Sequence, residues 1–151
     1  MTVTVRVQPD DFDITAELRA MTEGRTDIGA TVSFTGHCRD EKGKLSALEL
    51  EHYPGMAEAE ITRISEEAVR RFDLLGITAI HRYGRILPGD NIVLVIAAAS
   101  HRQAAFDGAS FVMDFLKTVA PFWKKEHLAA GGDGGWVDAR EADETARKRW
   151  Q

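Results

Sequence analysis

The longest uninterrupted apolar run in this chain extends only from Ile92 to Ala99. A membrane-spanning helix needs roughly 20 such residues. The chain therefore has to build its fold from short elements that share an apolar core, and no membrane span is expected. The run itself, NIVLVIAAA, reads as a strand. With 151 residues the chain is long enough to bury roughly 68–70% of its unfolded surface. A core of that size needs no disulfides, and one domain spanning residues 1–151 is the expectation.

Two periodicities alternate along the rest. Val3, Val5 and Val7 alternate with polar neighbours, as in a half-buried strand. Asp13 can cap a short helix over ITAELRAM that Gly24 closes. In GATVSFTGHCR, Ala30, Val32 and Phe34 share one face, and Thr31, Ser33, Thr35 and His37 the other. The polar DEKGK then predicts a hairpin returning through LSALELEHY. After Pro54-Gly55, Ala57, Ile61, Ile64, Ala68, Phe72 and Leu75 recur at helical spacing, with Gly76 as the stop. ITAIHRYGRI and NIVLVIAAA are strands joined by the turn Leu87-Pro88-Gly89-Asp90. A helix follows from Ser100, its inner stripe formed by Phe106, Ala109, Met113 and Leu116, and it must end before Pro121. AAGGDGG reads as a flexible loop, WVDAR as a short strand and EADETARKRW as a helical tail. Strands and helices mix without strict alternation, so the expected class is α+β with a largely antiparallel sheet and packed helices.

Charge narrows the function. The net charge is −5 and the pI about 5.5, whereas generic nucleic-acid binders carry a basic face and a high pI. Any positive site must be local, which suits a small anionic ligand better than a polymer. The one cysteine, Cys38, permits no intrachain disulfide, and MTVTVRVQPDDFD has no signal-peptide pattern. A soluble cytoplasmic protein is expected.

The stretch DFLKTVAPFWKKEH concentrates positive charge around Pro121. Lys117 falls in the last turn of its helix, where a cation complements the dipole. Lys124 and Lys125 follow two aromatics that can wedge into the core and present a lysine to a partly dry pocket. There a lysine becomes a usable base or nucleophile; solvated lysines beside a buried aromatic are the plainer alternative. Ser100 and Gln103 fit a capping box. His101 and Arg102 then open the helix at its positive end, an arrangement that suits a bound phosphate or, equally, an exposed turn. Arg39 follows the wet-faced strand beside His37 and Cys38, either as a site residue or as ordinary surface. Cys38 reads first as a packing residue. The five histidines show no metal-binding spacing, and there is no P-loop, GxGxxG or GxSxG.

Taken together, TVSFTGHCRD, LELEHYPGM, AIHRYGRILPGD, ASHRQAAFDGASFVMDFLKTVAPFWKKE and WVDAREAD resemble the catalytic (large) subunit of molybdopterin synthase, from about residue 28 to the C-terminus. The resemblance implies an α+β fold of the hammerhead type and a homodimer within a heterotetramer. It implies a partner, a small ubiquitin-like sulfur-carrier subunit whose C-terminal Gly-Gly thiocarboxylate enters a pocket on the large subunit. Sulfur passes twice to cyclic pyranopterin monophosphate and makes the molybdopterin dithiolene, with no metal or other cofactor at this step. Carried over by motif, Lys117 and Lys124 are the catalytic lysines. Arg39, His101, Arg102 and Arg140 bind substrate, as do His37, Cys38, Lys125 and Glu126 beside them. His37-Cys38 and the glycine-rich GGDGG depart from the family's pattern.

Arg102 and Lys117 are 15 residues apart on one expected helix, about 22 Å at 1.5 Å per residue. Either that helix breaks near Asp107-Gly108, or the site is shared between two protomers across a twofold axis; the second is the reading taken here. The alternatives to an enzyme are a non-catalytic phosphate- or nucleotide-binding regulator and a docking module for a ubiquitin-like partner.

Overall fold

The structure, a computed structural model, describes residues 2–40, 42–118, 122–137 and 141–151. Pro121 and Arg140 lie outside them. The elements in chain order are β1 (Thr2–Gln8), α1 (Ile14–Thr22), β2 (Ala30–His37), β3 (Leu45–His52), α2 (Met56–Phe72), β4 (Gly76–Arg82), β5 (Gly84–Ile86), β6 (Asn91–Ala99), α3 (Arg102–Thr118), β7 (Phe122–Leu128), β8 (Asp133–Val137) and α4 (Glu141–Lys148). They form two four-stranded sheets, ordered β1-β4-β6-β2 and β5-β3-β7-β8. Among the described strands only β1 and β4 pair in parallel. This is the expected α+β class.

The apolar run 92–99 becomes the buried strand β6 of the first sheet. Val93, Val95, Ala97 and Ala99 pack against α2 and α3, while Leu94, Ile96 and Ala98 face Met21 and the α1 side. A strand covered on both faces needs apolar residues at every position, which is why its sequence does not alternate. Asp13 caps α1 as expected, its Oδ1 accepting from the Ala16 N–H at 3.1 Å. Glu58 accepts from the Gly55 N–H at 2.7 Å and opens α2. Trp150, past the end of α4, packs edge-on to Phe72 and Phe111 and donates from Nε1 to Asp114.

Several expectations are corrected. β2 and β3 do not form a hairpin: β2 pairs with β6, and β3 with β5 and β7. A bulge at Gly36/His37 ends β2, and the Cys38 backbone is held by Asp90 O and Gly89 N at 2.8 and 2.7 Å. These bonds lead the chain from one sheet to the other. ITAIHRYGRI likewise splits at Tyr83, with β4 in the first sheet and β5 in the second. The turn at Leu87–Asp90 does form, Asp90 N–H bonding Leu87 O at 3.0 Å.

Asp73, in the left-handed region at φ 55°, stops α2 in place of Gly76. Gly76 begins β4, where a Cβ would run into the Met21 sulfur. Phe122–Leu128, unassigned from sequence, is a strand, and GGDGG contributes its partner β8 rather than a structureless loop. On α3 the inner stripe runs through Ala105, Ala109, Val112, Met113 and Leu116; Phe106 is 56% exposed. Gln103 donates from Nε2 to Asp107 at 3.0 Å, and α3 begins at Arg102 rather than at His101.

Candidate functional site

The two sheets meet where β3, β4 and β7 begin or end. Side chains alternate along a strand, and directly paired residues share a face. In the β3–β7 ladder, Leu50 pairs with Lys124, His52 with Phe122 and Leu48 with Glu126. Leu48 and Leu50 are buried. Lys124, Phe122 and Glu126 therefore project on the core side of the second sheet. Lys125 pairs with Glu49 and Trp123 with Glu51, on the opposite side. On that side His127 Nε2 also meets Glu49 at 2.8 Å. Parity thus separates two adjacent lysines that spacing alone could not, and it splits the aromatic pair: Phe122 turns inward, while Trp123 is 42% exposed.

At the seam stands His81, the next residue after Ile77 and Ala79 on the α2/α3-facing side of β4 and 6% exposed. Its ring lies flat on Phe122, with centroids 3.8 Å apart and planes 15° apart. His52 continues the cluster, 6.0 Å from Phe122 and 4.3 Å from Tyr83. Nδ1 of His81 is 2.8 Å from the Arg82 carbonyl oxygen. A carbonyl only accepts, so Nδ1 carries the proton and neutral Nε2 keeps a lone pair.

Burial pushes the His81 pKa down to about 4, the Arg82 carbonyl opposes that, and the fields of Lys124, Lys117 and His52 add to the fall. Lys117, in the last turn of α3, and Lys124, on β7, therefore bear on the same imidazole. The positive fields of both sequence-predicted lysines thus reach one buried ring.

Further along the core side lies Cys38, 3% exposed and packed with Leu48, Leu50 and Ile86. Burial first, then the carboxylates of Asp90, Asp40 and Glu126, push its thiol pKa up. A thiol so placed is neutral and enclosed, which matches the packing reading. Its neighbours His37 and Arg39 are exposed where β2 leaves the first sheet, and Arg39 engages a partner of its own.

His101 and Arg102 are exposed at the other end of α3. That helix is unbroken from Arg102 to Thr118. Gly108 does not interrupt it; the missing Cβ makes room for Leu74, whose Cδ1 would lie 2.7 Å away. On one protomer, then, Arg102 stands about 22 Å along the helix from Lys117.

His81 and His52 were missed from sequence, while the inward wedge expected of both aromatics holds for Phe122 and not for Trp123. One signal was available: strand parity through Ile77 and Ala79 puts His81 on the buried face. Beside the cluster, Glu51, His52, Tyr53 and Trp123 line a cleft of about 280 Å3. Tyr53 and Trp123 meet edge-on at 4.9 Å, and Tyr53, Met56 and Trp123 are exposed. A larger cavity, about 400 Å3, lies apart between β1 and α1. Its cations are already paired, Arg6 with Glu17 and Arg25 with Asp27. Among the described residues no group of three or more His, Cys, Asp or Glu side chains could hold a metal ion. No described helix is long and apolar enough to cross a membrane.

Fold and cluster together define a class: a two-sheet α+β protein with a lysine pair set against a buried imidazole. Residues 7–119 match the family model described as MoaE protein. The "Molybdopterin synthase catalytic subunit" of Rhizobium meliloti (strain 1021) is 70% identical over 148 residues, 98% of this chain and 96% of that one. Among solved structures, "Molybdopterin biosynthesis MoaE protein from Burkholderia ambifaria MC40-6" aligns with TM-score 0.84 at 49% identity, covering 98% of this chain and 97% of that one. Molybdopterin synthase from Staphylococcus aureus aligns with TM-score 0.77 at 28% identity, over 87% and 94%. The chain belongs to the MoaE family, that of the molybdopterin synthase catalytic subunits.

Proposed function

We propose that this chain is a sulfurtransferase: it moves two sulfurs, one at a time, from the thiocarboxylated Gly-Gly terminus of a small ubiquitin-like carrier to cyclic pyranopterin monophosphate. The observation that supports this reading is the placement of Lys124 opposite the buried Leu50, on the side of β7 where its charge and that of Lys117 both reach the buried His81. Both reactants are anions, and they repel each other most where water is excluded. Fixed positive charge offsets that repulsion at the moment of transfer. Lys117 acts as general acid/base or transient covalent partner at the carbons that accept sulfur. Lys124, entering from the core side of β7, pairs with the thiocarboxylate or the departing oxygen. Arg39 holds phosphate or pterin oxygens.

His101, Arg102 and Arg140 complete the site from a second protomer, because an unbroken α3 keeps Arg102 far from its own Lys117. The homodimer carries one carrier at each end. The exposed Tyr53, Met56 and Trp123 beside the cluster support a macromolecular co-substrate, since a small pterin has no need of so much apolar surface.

Incubation with thiocarboxylated carrier and the cyclic pterin, followed by mass detection, tests the reading. A product with two added sulfurs is expected. Carrier binding without any sulfurated pterin would refute it.

A further inference from the structure

His81 is a buried titratable side chain to which the sulfur-transfer scheme gives no part. Its surroundings are unusually fixed. The ring is tied through Nδ1–H to the Arg82 carbonyl. Arg82 is itself anchored, Nε donating to Pro9 O at 3.1 Å and Nη1 to Asn91 O at 2.8 Å. The imidazole plane is thus held by a stiff part of the first sheet. Against that plane lies Phe122, the first residue of β7 in the second sheet.

Phe122 and Lys124 are two residues apart on one strand and point to the same side. Any rotation of Phe122 about the strand axis turns Lys124 with it. Phe122 from β7 stacks on the ring, and the titratable groups whose fields reach it are Lys124 from β7, Lys117 from α3 and His52 from β3. A charged ring here would add a third cation to two lysines; a neutral one offers a flat wall.

We propose that His81 is a positioning residue: the flat face of its buried ring holds Phe122 by stacking, and through Phe122 sets the direction from which Lys124 enters the site. This rests on the sulfur-transfer reading for its kinetic consequence, though not for its structural one. His81 touches no reacting atom in this scheme. It fixes the strand that carries one, across the seam between the two sheets.

Two substitutions divide the ring's two features. His81→Phe keeps the flat face and loses the tether. His81→Asn keeps an N–H for the Arg82 carbonyl and loses the face. A misplacement of about 1 Å at a reacting group can cost around a hundredfold in rate. With thiocarboxylated carrier and cyclic pterin, His81→Asn is expected to lower kcat at least about tenfold with KM for the pterin within about twofold. His81→Phe is expected to stay within about threefold of wild type in kcat.

Lys124 is read directly in the same proteins by 13C-dimethylation and NMR, its signal assigned with Lys124→Arg. His81→Asn should move that signal and its titration midpoint; His81→Phe should leave both near wild type. Phe122→Leu removes the stack from the other side and should reproduce the His81→Asn result, which covers the case of an Asn variant that does not fold. Wild-type kcat and an unmoved Lys124 signal in His81→Asn, or in Phe122→Leu, would overturn the proposal. So would equal damage in His81→Phe and His81→Asn. If the wild-type protein makes no sulfurated pterin, the functional reading fails, while the Lys124 signal still decides the positioning role.

Discussion

Lys124 stands directly across from Leu50 in the β3–β7 ladder, and Leu50 is 1% exposed. The lysine therefore leaves its strand on the apolar side, while Lys125, one residue on, leaves it beside Glu49. A lysine flanked by apolar surface and a second cation is the one suited to chemistry. Lys124→Ala should lower single-turnover product formation by about a hundredfold or more, the scale of losing a charge-stabilising group from a site. Lys125→Ala should stay within about threefold. Equal losses in the two variants would mean that strand parity does not select the working lysine.

The continuous α3 sets up a complementation test. Arg102→Ala and Lys117→Ala each spoil both sites of a homodimer. In a mixed dimer with sites shared across the axis, one site receives both mutations and the other receives neither. After unfolding and co-refolding in equal amounts, half the dimers are mixed, so about a quarter of wild-type activity should return. Activity no higher than that of the separate variants would place all the working residues on one protomer.

Much of this was legible in the sequence. Local period foretold β1, α2, β6 and α3, because each buries one stripe or run, and the Asp13 cap foretold α1. The pairing of strands was not legible. Sequence neighbours favour a hairpin for β2 and β3, and only the bulge at Gly36/His37 with the Cys38–Asp90 backbone bond carries the chain to another sheet. β7 was hidden because FWKKEHL has polar residues on both faces, so no alternation shows. The lysines and Arg39 were singled out through motif resemblance. His81 was not, since its role comes from Phe122, which lies 41 residues away and belongs to the other sheet.

Gly108 lets α3 approach Leu74 more closely than any side chain would allow. Gly108→Ala gains about 1 kcal/mol in helix propensity. It also forces an overpacked contact costing about 1–3 kcal/mol against a Leu74 that is itself buried. A net loss of up to about 2 kcal/mol is expected, lowering Tm by up to several degrees. Adding Leu74→Ala should make the pair less destabilised than the sum of the singles by about 1 kcal/mol or more. Simple additivity in chemical denaturation would show that the contact is not tight.

Cys38 should behave as a core residue. Its thiol is enclosed, and burial with three nearby carboxylates disfavours the thiolate. At pH 7.5 a thiol reagent such as DTNB should label the native protein at least about a hundredfold more slowly than the urea-unfolded chain. Cys38→Ala should keep sulfur transfer within about threefold while costing about 1 kcal/mol of stability. Rapid native labelling, or loss of turnover in a folded Cys38→Ala protein, would return this thiol to the list of working groups.

His81 should leave a signature in acid. An ordinary histidine titrates near 6.5, and this one is held down to about 4 by burial and by Lys124, Lys117 and His52. Above pH 6.5 neither the folded nor the unfolded state protonates it, and it adds no pH dependence. As pH falls from 6.5 towards 4, the unfolded chain takes up the proton while the folded one does not, so stability declines. The loss should be about 1 kcal/mol by pH 5.5 and about 3 kcal/mol by pH 4. Carboxylates elsewhere titrate in the same range, so the informative quantity is a difference between two proteins. In His81→Phe the position no longer titrates, and the variant's stability should fall less steeply than wild type across this window. Urea unfolding at pH 7.5, 5.5 and 4.5 measures it. Parallel curves for the two proteins would mean that His81 is protonated in the folded state too, and that it does not stand as a neutral wall against Phe122.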